Sequence, residues 1–264
     1  MAGEQFKESE ILADGFTIRY QEAGSGDPLI YIHGAGGFRL SEAHDLLAQS
    51  YRVIALEIPG FGASQENLRS DSLASLAWSL NQALSALDIS KANLMGSSFG
   101  AKLVLEMAMA APDKVDALVL LAPAAIRLTD APPPGGSPAE RMALMHAHPE
   151  RHPNPEPMDP AVQEKQLALV KRLIGPARDS DFEARLAKLE LSVLALFGTH
   201  DQVIPPEAAH FYAEIMPKCN LVMVYDAAHA LDADRPEAVA SVAADFLARH
   251  ERFLVTEESG LIHP

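Results

Sequence analysis

The sequence predicts a doubly wound α/β fold on a mostly parallel sheet. Three observations carry this. Short apolar runs alternate with amphipathic helical patterns along most of the chain, as strand–crossover–strand units require. The runs are nearly continuous in apolar residues, as strands buried on both faces must be. The chemistry-bearing residues fall just past the ends of those runs, where open α/β sheets bind ligands.

In order, EILADGFTIRYQEAG reads as a hairpin with Asp14-Gly15 as its turn. PLIYIHG, YRVIALEIPG, ANLMG, DALVLLAPA, SVLALFG and NLVMVYDAA are the remaining strands. Between them LSEAHDLLAQS, SLASLAWSLNQALSAL, AKLVLEMAMAAP, PEAAHFYAEIM and PEAVASVAADFLARH carry apolar residues at three- and four-residue spacing, the helical period. Residues 125–188 break the rhythm with the Pro-rich DAPPPGGSP and HPERHPNPEPMDP and the helical AVQEKQLALVKRLIG. They read as a helical insertion, leaving 1–124 and 189–264 as the core. The role of the tail FLVTEESGLIHP stays open.

Composition excludes several classes. The 264 residues are 48% hydrophobic and 22% charged, with a net charge of −15. That balance disfavours nucleic acid, whose phosphates need a basic face, and anionic membrane surfaces. Cys219 is the single cysteine, so neither a disulfide framework nor a Cys-rich metal site is expected. The N-terminus has no apolar signal segment and no run approaches a membrane span. A cytoplasmic protein is expected.

The stretch GSSFG satisfies Gly-x-Ser-x-Gly with Ser98 in the middle. Chance yields roughly 0.1 such matches in a chain this long, so the motif needs company. Ser98 sits where a strand meets a helix, a sharp turn that lifts a hydroxyl above the sheet edge, whereas Ser97 points elsewhere. A serine nucleophile needs a base, and the base an orienting acid. Asp201 and His229 follow the last two strands, completing the order Ser, Asp, His. His200 adjoins Asp201 but would point away from it. Asp226, Asp232 and Asp234 flank His229 as rival acids; Asp201 is preferred because a strand end aims it across the site. An oxyanion hole would use the Phe99 N–H and the Ala35 N–H of the His33–Gly37 loop.

Taken together, HGAGG, EIPGFGAS, GSSFG, GTHDQVIP and AAH resemble the α/β-hydrolase family over nearly the whole chain. The resemblance implies a mainly parallel eight-stranded sheet, a helical cap at 125–188 and no metal cofactor. Glu57 stands where the family usually has Asp. A serine nucleophile argues against the dehalogenase and epoxide-hydrolase branches, which use Asp. Ala230 follows His229 where carbon–carbon-bond hydrolases often have Trp. In the expected cap, His146, His148 and His152 have no carboxylate or Cys pattern with them, so an exposed loop and no metal are expected. Met142, Met145 and Met158 would form cap core or line a pliable acyl pocket.

The expected function is hydrolysis of a carboxylic ester of a small apolar substrate through an acyl-enzyme, without cofactor. The alternatives are carbon–carbon or lactone hydrolysis, and a small-molecule receptor of the same fold with little or no turnover.

Overall fold

In the computed structural model, which describes residues 2–131, 137–153 and 158–253, the chain enters its sheet through a hairpin. Strand β1 (Lys7–Ala13) pairs antiparallel with β2 (Phe16–Ala23), Ala13 opposite Phe16. Asp14 and Gly15 make the turn at φ 46° and 74°, the two positive values that a twisted two-residue hairpin needs. Next come β3 (Pro28–Ile32), β4 (Arg52–Leu56), β5 (Ala92–Ser97), β6 (Val115–Leu121), β7 (Ser192–Gly198) and β8 (Cys219–Val224). The sheet order is β1-β2-β4-β3-β5-β6-β7-β8, and every pairing from β4 onward is parallel. The expected eight-stranded, mostly parallel α/β architecture is present.

Period-two alternation divides the apolar residues between two layers. Ile30, Ile32, Leu94 and Leu118 face one side, packed by helices α2 (Leu73–Ala86), α3 (Phe99–Ala110) and α7 (Ala209–Ile215). Leu29, Tyr31, Met95 and Val119 face the other, with α1 (Glu42–Leu47) and α9 (Pro236–Arg249). Local chemistry sets the helix starts. The Ser72 side chain accepts from Ser75 N–H at the start of α2, and Pro236 opens α9 where no intrahelical N–H is needed.

Between β6 and β7 lie α4 (Pro138–Met145), α5 (Pro160–Leu173) and α6 (Ser180–Leu186), with no strand among the described residues. Ser137, Asp159 and Asp179 cap them. Leu169, Leu173, Phe182 and Leu186 join the apolar cluster of α2 and α3, so the insertion packs directly on that layer. The loop readings at 132–136 and 154–157, and the tail from residue 254, lie outside the described residues. The four-residue α8 (Leu231–Asp234) is not foreseen by periodicity, since one turn is too short to show a period. No helix among the described residues is long and apolar enough to cross a membrane.

Candidate active site

Ser98 joins β5 to α3 with φ 53° and ψ −112°. A non-glycine residue there is strained and persists only where its surroundings force it. Here Ser98 N–H donates to the Leu121 carbonyl (2.8 Å), and the Ser98 carbonyl accepts from Ala101 and Ala124 N–H (both 3.1 Å). The flanking glycines are steric necessities. A Cβ on Gly96 would lie 2.5 Å from the Gly100 oxygen, and one on Gly100 would lie 2.2 Å from the Ile32 oxygen. Ser97 points to the opposite face, with Met95 and Tyr31, and its hydroxyl pairs with the Tyr31 phenol, whose pKa burial raises well above the usual value.

Asp201 and His229 are both buried. His229 Nδ1 donates to Asp201 Oδ2 at 2.8 Å. The other carboxylate oxygen accepts Val203 and Ile204 N–H at 2.7 and 2.9 Å, which fixes its direction. Among the described residues, His229 makes that one side-chain hydrogen bond, through Nδ1. Each rival acid is engaged elsewhere: Asp226 with His148 (2.8 Å), Asp232 beside His44 (3.9 Å) and Asp234 with His146 (2.7 Å). His200 is exposed.

The loop after β3 makes a turn closed by Gly37 N–H to Gly34 carbonyl (3.2 Å), with Ala35 inside it. A Cβ on Gly34 would lie 3.3 Å from Ser98 Cβ, so this turn sits against the serine. Phe99 N–H opens α3 beneath it. Sequence reasoning assigned no role to His33, which holds this turn. Its Nδ1–H donates to the Gly34 carbonyl (2.8 Å), and Nε2 accepts from Ile58 N–H (3.0 Å). Burial pushes its pKa down to about 4, against the pull of the Gly34 carbonyl, so the ring is neutral at pH 7. Glu57 is buried, accepts from Ser64 Oγ (3.0 Å) and faces Arg19 (3.5 Å). Burial raises its pKa, with Arg19 opposing.

The expectation for the insertion's histidines is corrected. They are not in an exposed loop, and a carboxylate does join them. His146 Nδ1 and His152 Nε2 lie 2.7 and 3.0 Å from Asp234 Oδ1, and the two rings stack at 3.8 Å and 19°. Asp234 is 82 to 88 residues away in sequence, which is why no local spacing reveals it. The trio has the donor set of a cation site. The stacking opposes that use: an ion shared by both nitrogens would sit near half of 3.8 Å, about 1.9 Å, off each ring plane, against a metal–nitrogen bond of about 2.1 Å that needs an in-plane lone pair. Met142 is buried, and Met158 Cε would lie 3.5 Å from a Cβ on Gly37.

The sheet order and the strained serine between two close-packed glycines agree with the comparison to known families, in which the model of the α/β hydrolase fold matches residues 27–151. The chain belongs to the α/β-hydrolase fold family. It is similar to the dihydrolipoyllysine-residue acetyltransferase component of the acetoin cleaving system of Cupriavidus necator, at 31% identity over 82% of this chain. The chain spans 62% of that relative's length. It is also similar to 2-hydroxymuconate semialdehyde hydrolase of Pseudomonas putida, at 27% identity over 90% of this chain and 93% of that protein. Among solved α/β-hydrolase structures, a meta-cleavage product hydrolase of Pseudomonas fluorescens superposes with TM-score 0.79 at 22% identity, covering 91% of this chain and 97% of that one. Naproxen esterase of Bacillus subtilis superposes with TM-score 0.72 at 19% identity, covering 91% of each.

Proposed function

We propose that the protein is a serine hydrolase that cleaves a carboxylic ester of a small apolar substrate through an acyl-enzyme. The observation carrying this reading is the Asp201–His229 hydrogen bond at the sheet edge where Ser98 stands on its strained elbow. Ser98 Oγ attacks the ester carbonyl. His229 Nε2 takes the hydroxyl proton and returns it to the leaving alcohol. Asp201 holds the Nδ1–H tautomer and stabilises the imidazolium. Ala35 and Phe99 N–H groups receive the oxyanion. Water, deprotonated by His229, then releases the acid. Segment 125–188 acts as the cap over this site.

A second reading, hydrolysis of a carbon–carbon bond, is favoured by the near full-length likeness to 2-hydroxymuconate semialdehyde hydrolase. Such an acidic substrate calls for a free cation. Among the described residues, the cations that bridge insertion and core already have partners: Lys102 Nζ on the Ile174 carbonyl (2.6 Å), Arg127 on the Ala124 and Gly175 carbonyls (3.1 and 2.8 Å), Lys165 on the Ser64 carbonyl, Arg172 on the Ser70 and Asn67 carbonyls, and Arg185 on the Glu106 carboxylate (2.7 Å). That favours an uncharged substrate. The test is turnover of short and medium p-nitrophenyl esters beside a 2-hydroxy-6-oxo-dienoate, with wild type, Ser98→Ala and Ser97→Ala. Ester turnover abolished by Ser98→Ala alone supports the first reading. Turnover of the dienoate alone replaces it with the second, and an inert Ser98 defeats both.

A further inference from the structure

The mechanism uses the His229 side chain, but the backbone around it has its own holder. His229 lies in the short run Ala227–Ala230 between β8 and α8. The N–H on each side of it is bound. Ala230 N–H donates to the carbonyl of Met145, the last residue of α4, at 2.8 Å. Ala228 N–H donates to Asp234 Oδ2 at 2.8 Å, and Ala147 N–H donates to that same oxygen at 2.9 Å. The other Asp234 oxygen faces His146 Nδ1 and His152 Nε2. The Asp234 side chain is 3% exposed. Burial works against its charge, but His146 and the Ala228 and Ala147 N–H groups outweigh burial and hold its pKa below the usual carboxylate range. One buried carboxylate thus grips the base's loop with one oxygen and the insertion with both.

We propose that Asp234 is a positioning residue for His229, and that it seats the histidine's loop fully only while residues 145–152 of the insertion are docked on it. The inference rests on the serine-hydrolase reading for its catalytic consequence, but not for the coupling itself. Undocking removes the Met145 acceptor from Ala230 and the His146, Ala147 and His152 donors from Asp234. The loop keeps Ala228 N–H to Asp234, the Ala227 carbonyl to His200 N–H (2.9 Å) and the Ala230 carbonyl to Ala233 and Asp234 N–H (both 2.9 Å), but the Ala230 N–H after His229 loses its acceptor, Asp234 loses its insertion donors, and the Nδ1–Asp201 bond loosens. Closure of the insertion and alignment of the base become one event.

The test is the double variant His146→Ala/His152→Ala, which leaves Ser98, Asp201, His229 and Asp234 in place. His146→Asn/His152→Asn, which keeps side-chain donors, is the rescue variant. Amide hydrogen exchange at Ala228 and Ala230 is read first and needs no turnover. Exchange at both amides rises at least tenfold in the Ala variant and less in the Asn variant. With p-nitrophenyl esters, kcat falls about tenfold at nearly constant KM. The acid limb of the kcat/KM profile moves to lower pH, because an imidazolium less well held by Asp201 ionises more easily. Mere loss of folded protein lowers kcat without moving that limb. Wild-type exchange at both amides and an unmoved limb overturn the proposal. A wild type without ester turnover defeats the hydrolase reading, and the exchange result still decides the coupling.

Discussion

Gly100→Ala tests whether the elbow and the oxyanion turn form one rigid unit. The new Cβ would lie 2.2 Å from the Ile32 oxygen and 2.4 Å from the His33 oxygen. Both are backbone atoms, so no rotamer relieves the clash. Real Cβ contacts do not fall below 3.0 Å, so α3 and the end of β3 must separate by at least about 0.8 Å (3.0 − 2.2). That gap opens between Phe99, which starts α3, and the His33–Gly37 turn, the two halves of the proposed oxyanion hole. Misplacement near 1 Å costs about 10²-fold in rate, and overpacking of this kind costs about 1–3 kcal/mol of stability. For a chain of this size that lowers Tm by roughly 2–10 °C. Steady-state kinetics on p-nitrophenyl esters and thermal denaturation measure both. The expected result is kcat down 10- to 100-fold in a folded protein with lowered Tm. A variant with kcat within twofold of wild type and unchanged Tm refutes the rigid-unit argument, because Ala would then have found room the backbone does not offer.

Other outcomes follow from the same geometry. Asp201→Asn keeps an acceptor for the Val203 and Ile204 N–H groups, so folding is retained while kcat falls about 10³- to 10⁴-fold, read in the same ester assay. Ser98→Ala abolishes phosphonylation by a fluorophosphonate, which forms the Oγ–P bond with loss of fluoride, detected as loss of the mass adduct, whereas Ser97→Ala retains it. His33 makes stability pH-dependent. Its pKa is about 4 when folded against an unfolded value near 6.5, so between these the unfolded chain binds the extra proton and stability falls as pH falls. The loss through this window is up to about 3 kcal/mol. Thermal denaturation from pH 7 to pH 4 tests it: wild type loses more Tm than His33→Gln, and equal losses would assign the acid sensitivity to other groups.

Much of the fold was legible because its signals are local. Apolar runs such as SVLALFG and DALVLLAPA are readable as strands buried on both faces, and Asp14-Gly15 is readable as a turn because few dipeptides accept two positive φ angles. The serine site was legible for a related reason. Gly96 and Gly100 flank Ser98 because two backbone approaches leave no space for a Cβ, and that constraint is written as GSSFG. Choosing Asp201 from among the acids near His229 needed only the expectation that a strand end aims a side chain across the site.

By itself, then, the sequence determined the alternation of elements, the position of the elbow and the Ser98, Asp201, His229 order, all of which depend on neighbours within a few residues. Tertiary structure alone decided the partners that meet across long stretches of chain. His33 ties the turn after β3 to Ile58, 25 residues on. His146 and His152 find Asp234 beyond α5, α6, β7 and β8, which turns an apparent loop of histidines into a contact with the carboxylate that also binds the Ala228 N–H beside His229. Such pairings follow from burial, since a carboxylate taken out of water must find donors wherever the fold supplies them. No spacing along the chain records where those donors will be.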